Sequence, residues 1–307
     1  MKNLENMGEI SEISTEEKEL NQLFSEEALE KYRKLCELCD SWEITEEQEE
    51  ESLESDNEES DESLEEQQES DTESQKDDVE YETDDNGQIY KENGEVLSNT
   101  EYEVNGNTYQ TDEYGRIVEC DGNPKLTEEG KRNISEQMEA GGEDRREGDQ
   151  GGHIVARVLG GSEGIENLVA MRGPINQGDY KKMENEIRKA SEENKEVSMH
   201  VELKYKGESE RPSEIKVEYT IDGEKKEIVF DNEENSIELL DSLEGKLNQE
   251  DYNNLKEELQ DMKEDGKEVS ITSVKTEFDE NGQAVKITVG VLDESNGLKT
   301  YKVFDTK

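Results

Sequence analysis

Both histidines of this chain, His153 and His200, fall between Arg145 and Asp231. Imidazole, with an ordinary pKa of about 6.5, is well suited to taking a proton from water near neutrality. His153 closes the run Gly151-Gly152-His153, and glycines there would let a substrate backbone come close. Downstream, Asn176 offers a carbonyl oxygen of the kind hard divalent cations accept. Glu184 and Arg188 stand four residues apart and share a helix face, where a guanidinium could neutralise charge on a departing oxygen while the carboxylate orients it. A base, an oxygen ligand and a guanidinium together suit attack of water on a phosphodiester, which needs a proton acceptor and positive charge on the phosphate.

Each residue also has a plainer use. A histidine on a strand is commonly a structural or surface group, and His200, on the polar side of an alternating strand, is expected at a solvated surface. Asn176 before Gln177-Gly178-Asp179 suits a helix cap, and Glu184 with Arg188 suits simple helix support.

The elements that must position these groups are legible as a repeat. The stretch NQGDYKKMENEIRKASEENKEVS from Asn176 aligns without a gap, 72 residues on, to NQEDYNNLKEELQDMKEDGKEVS from Asn248. In the first copy Tyr180, Met183 and Ile187 mark the buried face of a helix, and Val197, Met199, Val201 and Leu203 then alternate as in a strand. Ile215, Val217, Tyr219 and Ile221 alternate before Asp222-Gly223, and Val285, Ile287, Val289 and Val291 do so in the second copy. There Lys256 replaces Glu184 and Gln260 replaces Arg188, so the second copy is expected to be catalytically silent and to extend the sheet as a scaffold. Ahead of both, Asn86-Gly87, Asn93-Gly94, Asn105-Gly106 and Asp121-Gly122 predict hairpin turns. Tyr81, Thr83, Asp84, Gly87, Ile89 and Gly94 recur 28 residues later, which predicts a duplicated hairpin.

Composition bounds the rest. The 307 residues carry 86 Asp and Glu against 35 Lys and Arg, a formal charge of −51, with only 28% hydrophobic residues. That mixture predicts folded and unfolded segments together. Residues 41–80 hold 20 acidic residues and one basic residue, Lys76, and read as a disordered acidic linker. Residues 1–40 read as a short helical segment, with Leu29, Tyr32, Leu35 and Leu38 on one face; Cys36 and Cys39 lack a second ligand pair for structural zinc. From 145 to 231 the count is 15 basic against 19 acidic, so the candidate chemistry sits in the most nearly neutral part of the chain. No apolar run is long enough to span a membrane, and the start MKNLENMGEI lacks a secretory h-region, so the protein is expected in the cytoplasm or exported without a signal peptide.

Over about residues 108–231 the chain resembles the DNA/RNA non-specific endonucleases, the His-Me finger or ββα-metal nucleases, in their bacterial toxin-type branch with a Gly-Gly-His motif. Asp149 with Gly151-Gly152-His153, Gly160-Gly161-Ser162, Asn167-Leu168-Val169 and Asn176-Gln177-Gly178 with Tyr180 and Glu184 occur in the family's order. The family's Asp-Arg-Gly-His becomes Asp149-Gln150-Gly151-Gly152-His153 here, and Ala170 and Met171 stand in place of its usual proline and polar residue. The resemblance implies an α+β fold, an antiparallel β-sheet with a ββα-metal core, preceded by the disordered acidic segment and short N-terminal helices. It implies His153 as general base, Asn176 as ligand of Mg²⁺ or another divalent cation such as Mn²⁺, and Arg188 near the scissile phosphate with Glu184. Asp149, Gly152, Arg157, Arg172 and Lys181 are the expected substrate contacts. The implied partners are DNA and/or RNA as substrate and a cognate immunity or inhibitor protein, with no membrane.

The expected organisation is a helical segment (1–40), a linker (41–80), a nuclease-like domain with N-terminal hairpins (81–240) and a degenerate repeat (241–307). Arg145, Arg146, Lys182 and Lys189 would join Arg157, Arg172, Lys181 and Arg188 in a local basic surface. The competing reading is a non-enzymatic acidic binding protein on a degenerate nuclease scaffold, because nonspecific nucleic-acid affinity comes largely from Lys and Arg. A chain ending near Asp241 is expected to keep activity if it folds.

Overall fold

Turn chemistry organises the first half. The computed structural model describes residues 79–127 and 133–306; the helices expected within 1–40, the Cys36/Cys39 pair and the linker up to residue 78 lie outside the described residues. Strands β1 (Tyr81–Thr83), β2 (Ile89–Glu92) and β3 (Glu95–Val96) form a small antiparallel sheet. Asp84 Oδ1 closes its first turn by accepting from Asn86 N and Gln88 N, and 28 residues later Asp112 Oδ1 accepts from Tyr114 N and Arg116 N. Asn93-Gly94 and Asn105-Gly106 turn with both residues at positive φ, as hairpin turns of this type require. Asp121-Gly122 does not turn. It ends strand β6, where a Cβ on Gly122 would sit 3.3 Å from Val155 Cγ2, so this glycine makes room for packing and the 28-residue repeat diverges there.

Strands β4 (Glu101–Val104), β5 (Asn107–Thr111) and β6 (Ile117–Gly122) form one edge of a nine-stranded antiparallel sheet. Helix α1 (Ile134–Glu139) follows, then the hairpin of β7 (Asp149–His153) and β8 (Leu168–Arg172), a π-helical turn (Ile175–Tyr180) and helix α2 (Lys181–Glu192). Strands β9 (Val197–Tyr205), β10 (Pro212–Ile221) and β11 (Glu224–Asp231) complete the first repeat; α3 (Gln249–Glu264), β12 (Val269–Phe278), β13 (Ala284–Asp293) and β14 (Leu298–Asp305) are the second. The sheet order is β14-β13-β12-β11-β10-β9-β6-β5-β4. The α+β, largely antiparallel class expected from the alternation is the class observed.

The period-two pattern decides which face each strand offers. Tyr180, Met183 and Ile187 are buried with Met199, Val201, Ile215, Val217 and Phe230, so α2 and the β7–β8 hairpin cover one face. Leu255 and Leu259 of α3 pack with Ile271, Val274, Ile287 and Val289 in a second core, joined by Val229 of β11, which neighbours Phe230 but points the other way. The two repeat helices therefore lie on opposite faces of one sheet. Residue 241 is no boundary between sheets, because β11 pairs directly with β12 from Lys226↔Glu277 to Phe230↔Ser273.

Three charged groups, Arg172 just ahead of the first repeat and two within it, are satisfied from the second. Glu186 of α2 binds Lys275 at 2.8 Å as well as Lys226; burial opposes its charge, but these two ammonium groups hold its carboxyl down at about 2. Arg172 pairs with Glu294, and Asp179 with Lys299 at 2.6 Å. Ending the chain near Asp241 would expose the β11 edge and strand these groups, which weighs against the folding on which the expected activity of that truncation depends. A chain cut there should lose cooperative thermal unfolding by circular dichroism; a melting curve like that of the full chain would refute the dependence.

Candidate active site

The β7–β8 hairpin and the helix after it make a β-β-α unit, with Asp149 opposite Arg172 and His153 opposite Leu168. The segment between the two strands contains the Gly160–Asn167 connector. Asn167 holds it: fully buried, it accepts from Val155 N at 2.9 Å and Tyr109 OH at 3.0 Å, and donates to Val155 O and Ser162 O. A side chain on Gly161 would collide with Val155 O at 1.8 Å.

His153 is the last residue of β7, half-buried, with Nε2 shielded from solvent. The glycines before it are closely packed against the protein itself. A Cβ on Gly151 would lie 2.4 Å from Gln137 O in α1. One on Gly152 would lie 2.9 Å from Met171 Cε and 3.1 Å from Asn176 Oδ1. Asn176 is thus drawn against the residue preceding His153.

Asn176 is not a helix cap. Its Nδ2 donates to Gln150 Oε1 at 2.7 Å, and the π-turn begins after Pro174 without a side-chain cap. The capping role belongs to its repeat counterpart, Asn248, whose Oδ1 accepts from Asp251 N at 2.9 Å. With Nδ2 committed to Gln150, Asn176 directs its carbonyl oxygen toward the Gly152 gap. Motif reading missed Gln150; the signal was strand parity, which puts it on the same face of β7 as Gly152. An amide oxygen turned toward the space left by the missing Gly152 side chain fits a hard cation that retains most of its waters.

Two expected substrate contacts are structural. Asp149 is buried and accepts from Arg211 Nε at 2.6 Å and Nη2 at 3.0 Å, a fork that ties β7 to the start of β10. Arg172 is 3% exposed, donates to Glu233 O at 2.6 Å and pairs with Glu294, so it is turned into the protein. The expected basic surface shrinks further: Arg145 binds the carbonyls of Gln137 and Ala140 beside α1, and Arg146 pairs with Glu233 at 2.7 Å. Arg157, Lys181 and Glu184 remain half-buried at the start of short helical turns or of α2. Arg188 is 40% exposed and reaches forward to Glu192 at 3.5 Å.

His200 lies on the opposite face of the sheet, away from the buried Cys120 and Val201. Its Nδ1 is 2.7 Å from Asp121 Oδ1 and 3.9 Å from Glu119 Oε1, with Glu202 3.7 Å from Nε2. A depression of about 380 Å³ lined by Asp121, His200, Glu218 and Lys225 lies on this outer face. Partial burial works against protonation of His200, but the Asp121 hydrogen bond and the surrounding carboxylates raise its pKa above the usual 6.5. It stands on the polar, outer side of the strand as expected, half-buried and partnered by Asp121.

A model of the DNA/RNA non-specific endonuclease family matches residues 98–223, which run from before β4 to the turn after β10 and contain the whole β-β-α unit. Over that segment the chain is similar to this family. Over 137 residues the chain is 41% identical to the Type VII secretion system protein EssD of Staphylococcus aureus strain USA300, and equally to that of strain NCTC 8325 / PS 47. The similarity covers 42% of this chain and 22% of each relative's length. The family match stops short of β11 and of the second repeat, although that repeat holds Arg172 and Asp179 of the matched segment.

Two consequences are measurable. Asp149→Ala leaves Arg211 buried without its partner and should cost about 3–5 kcal/mol in urea unfolding; a loss below about 1 kcal/mol would show the fork to be dispensable. His200 should titrate above 6.5 by NMR. Because its folded pKa is raised, the stabilisation it contributes is complete below about 6.5 and fades as pH rises through the folded midpoint. His200→Gln should flatten stability across that window.

Proposed function

We propose that the protein is a metal-dependent nuclease that hydrolyses phosphodiester bonds of DNA, RNA or both without sequence preference. The observation that carries this reading is Asn176, its amide held by Gln150 and its oxygen set against Gly152, the residue before His153, in a β-β-α unit within the segment that matches the endonuclease family. His153 takes the proton from the attacking water. Asn176 Oδ1 would hold Mg²⁺ or Mn²⁺, which when bound supplies Lewis-acid charge on the phosphate. Arg188 neutralises charge on the leaving oxygen once drawn from Glu192, and Glu184 orients it. Arg157 and Lys181 contact the flanking backbone of the nucleic acid. The two residues removed from the substrate set, Asp149 and Arg172, act by holding β7 and β8 in place.

The printed name of the relatives, a type VII secretion system protein, supports export of the protein, and the resemblance to toxin-type nucleases supports an effector role with a cognate immunity or inhibitor protein as partner. Among the described residues no helix is long and apolar enough to cross a membrane.

Digestion of plasmid DNA and of RNA by the purified chain, with Mg²⁺ or Mn²⁺ and with EDTA, tests the reading. Cleavage should require the cation. His153→Ala should fall by about 10²–10⁴-fold with the fold retained, whereas Asn176→Ala should shift the metal requirement upward. Cation-independent cleavage, or a His153→Ala chain as active as the parent, would refute these assignments; no cleavage of either nucleic acid would favour the acidic binding protein.

A further inference from the structure

The turn that carries Asn176 is π-helical, a wider and rarer geometry than the α-helix, found mostly as single turns at functional sites. Its counterpart in the second repeat is a regular α-helix capped by Asn248. Something outside the turn must therefore hold the irregular form. Asp179, three residues after Asn176, is buried, and its carboxylate meets three side chains of the second repeat. Lys299 Nζ lies at 2.6 Å, Ser273 Oγ donates at 2.6 Å, and Tyr301 OH donates as well. Burial alone would raise the carboxyl's pKa; these partners hold it below the usual range.

Lys299 also spans the turn. Its Nζ donates to Pro174 O at 3.4 Å, at the residue that opens the turn, and lies 3.4 Å from where a Cβ on Gly178 would be. From the other side, Lys182 donates to Tyr301 OH at 2.7 Å and rests over its ring at 4.2 Å. The grip thus runs from Pro174 to Lys182, across Asn176. It comes entirely from strands β12 and β14, beyond the end of the family match at residue 223.

We infer that the second repeat is an intramolecular brace for the metal-binding turn, with Lys299 and Asp179 as positioning residues that set Asn176 for its cation. The inference deepens the nuclease reading and rests on Asn176 as the cation ligand. An ion pair buried with hydrogen-bonding partners suits this use, because breaking it is costly and its geometry is restrictive. Supporting groups of this kind typically change metal affinity by about 10–100-fold when removed.

The test compares full-length parent, Lys299→Met, the neutral pair Lys299→Met with Asp179→Asn, Tyr301→Phe and Asn176→Ala. Hydrogen exchange reports the turn without reference to metal, and Mn²⁺ binding by electron paramagnetic resonance reports the site. The Mn²⁺ equivalent lost in Asn176→Ala separates the site from binding to other carboxylates. Exchange across residues 174–182 should quicken in Lys299→Met and in the neutral pair, with the rest of the sheet unchanged, and that Mn²⁺ equivalent should weaken by about tenfold or more. Cleavage at saturating Mn²⁺ should recover toward the parent rate, as expected of a residue acting through affinity. If Lys299→Met does not fold, the neutral pair and Tyr301→Phe carry the same readouts. Unchanged exchange in the folded variants overturns the brace whatever the metal does. Faster exchange with parental Mn²⁺ affinity overturns its role in positioning. If Asn176→Ala binds Mn²⁺ like the parent, the ligand reading fails, and the positioning claim falls with it.

Discussion

A carboxylate removed from water must find a cation or donors, and two buried aspartates impose that requirement on the β-β-α unit. Asp149 at the start of β7 is met by the Arg211 fork, which fixes the hairpin against the main sheet. Asp179 in the π-turn is met by Lys299, Ser273 and Tyr301, which fixes the turn against the second repeat. Between these anchors lie Gln150, Gly152, His153 and Asn176. Their mutual placement follows from the two pairings together with the missing side chain at Gly152.

The two repeats show how one helix-and-strands plan takes different work. Both open on Asn-Gln, yet Asn248 spends its side-chain oxygen on a backbone N–H of its own helix. Asn176 is spared that task because its turn is π-helical and its amide nitrogen is taken by Gln150. An asparagine that caps cannot present the same oxygen to a cation, so local helix geometry separates a structural copy from a candidate ligand. The second copy reaches across the sheet with Lys275, Glu294 and Lys299 to complete the first, while its own helix packs on the opposite face.

Charge works against nucleic-acid binding over the chain as a whole, which carries −51. Many of the basic residues near the motif are also committed internally, Arg145 to carbonyls and Arg172 to Glu294. With fewer cations turned toward a polyanion, fewer counterions are released on binding, so the salt dependence of binding through this face would be shallow.

The sequence alone determined the alternating strands, the buried faces of the repeat helices, the hairpin turns and the order His153 then Asn176, because periodicity and turn chemistry are local properties. Strand parity even held the signal for Gln150, since residues 150 and 152 must share a face. Only the tertiary structure decided that Asp149 and Arg172 are internal ties, that Gly122 is a packing residue and not a turn, and that the helix of the second repeat packs on the opposite face of the shared sheet. The physical reason is partner choice. Whether an arginine or aspartate faces substrate or protein depends on which opposite charge the fold brings within reach, and Arg211, Glu294 and Lys299 lie 62, 122 and 120 residues away from Asp149, Arg172 and Asp179.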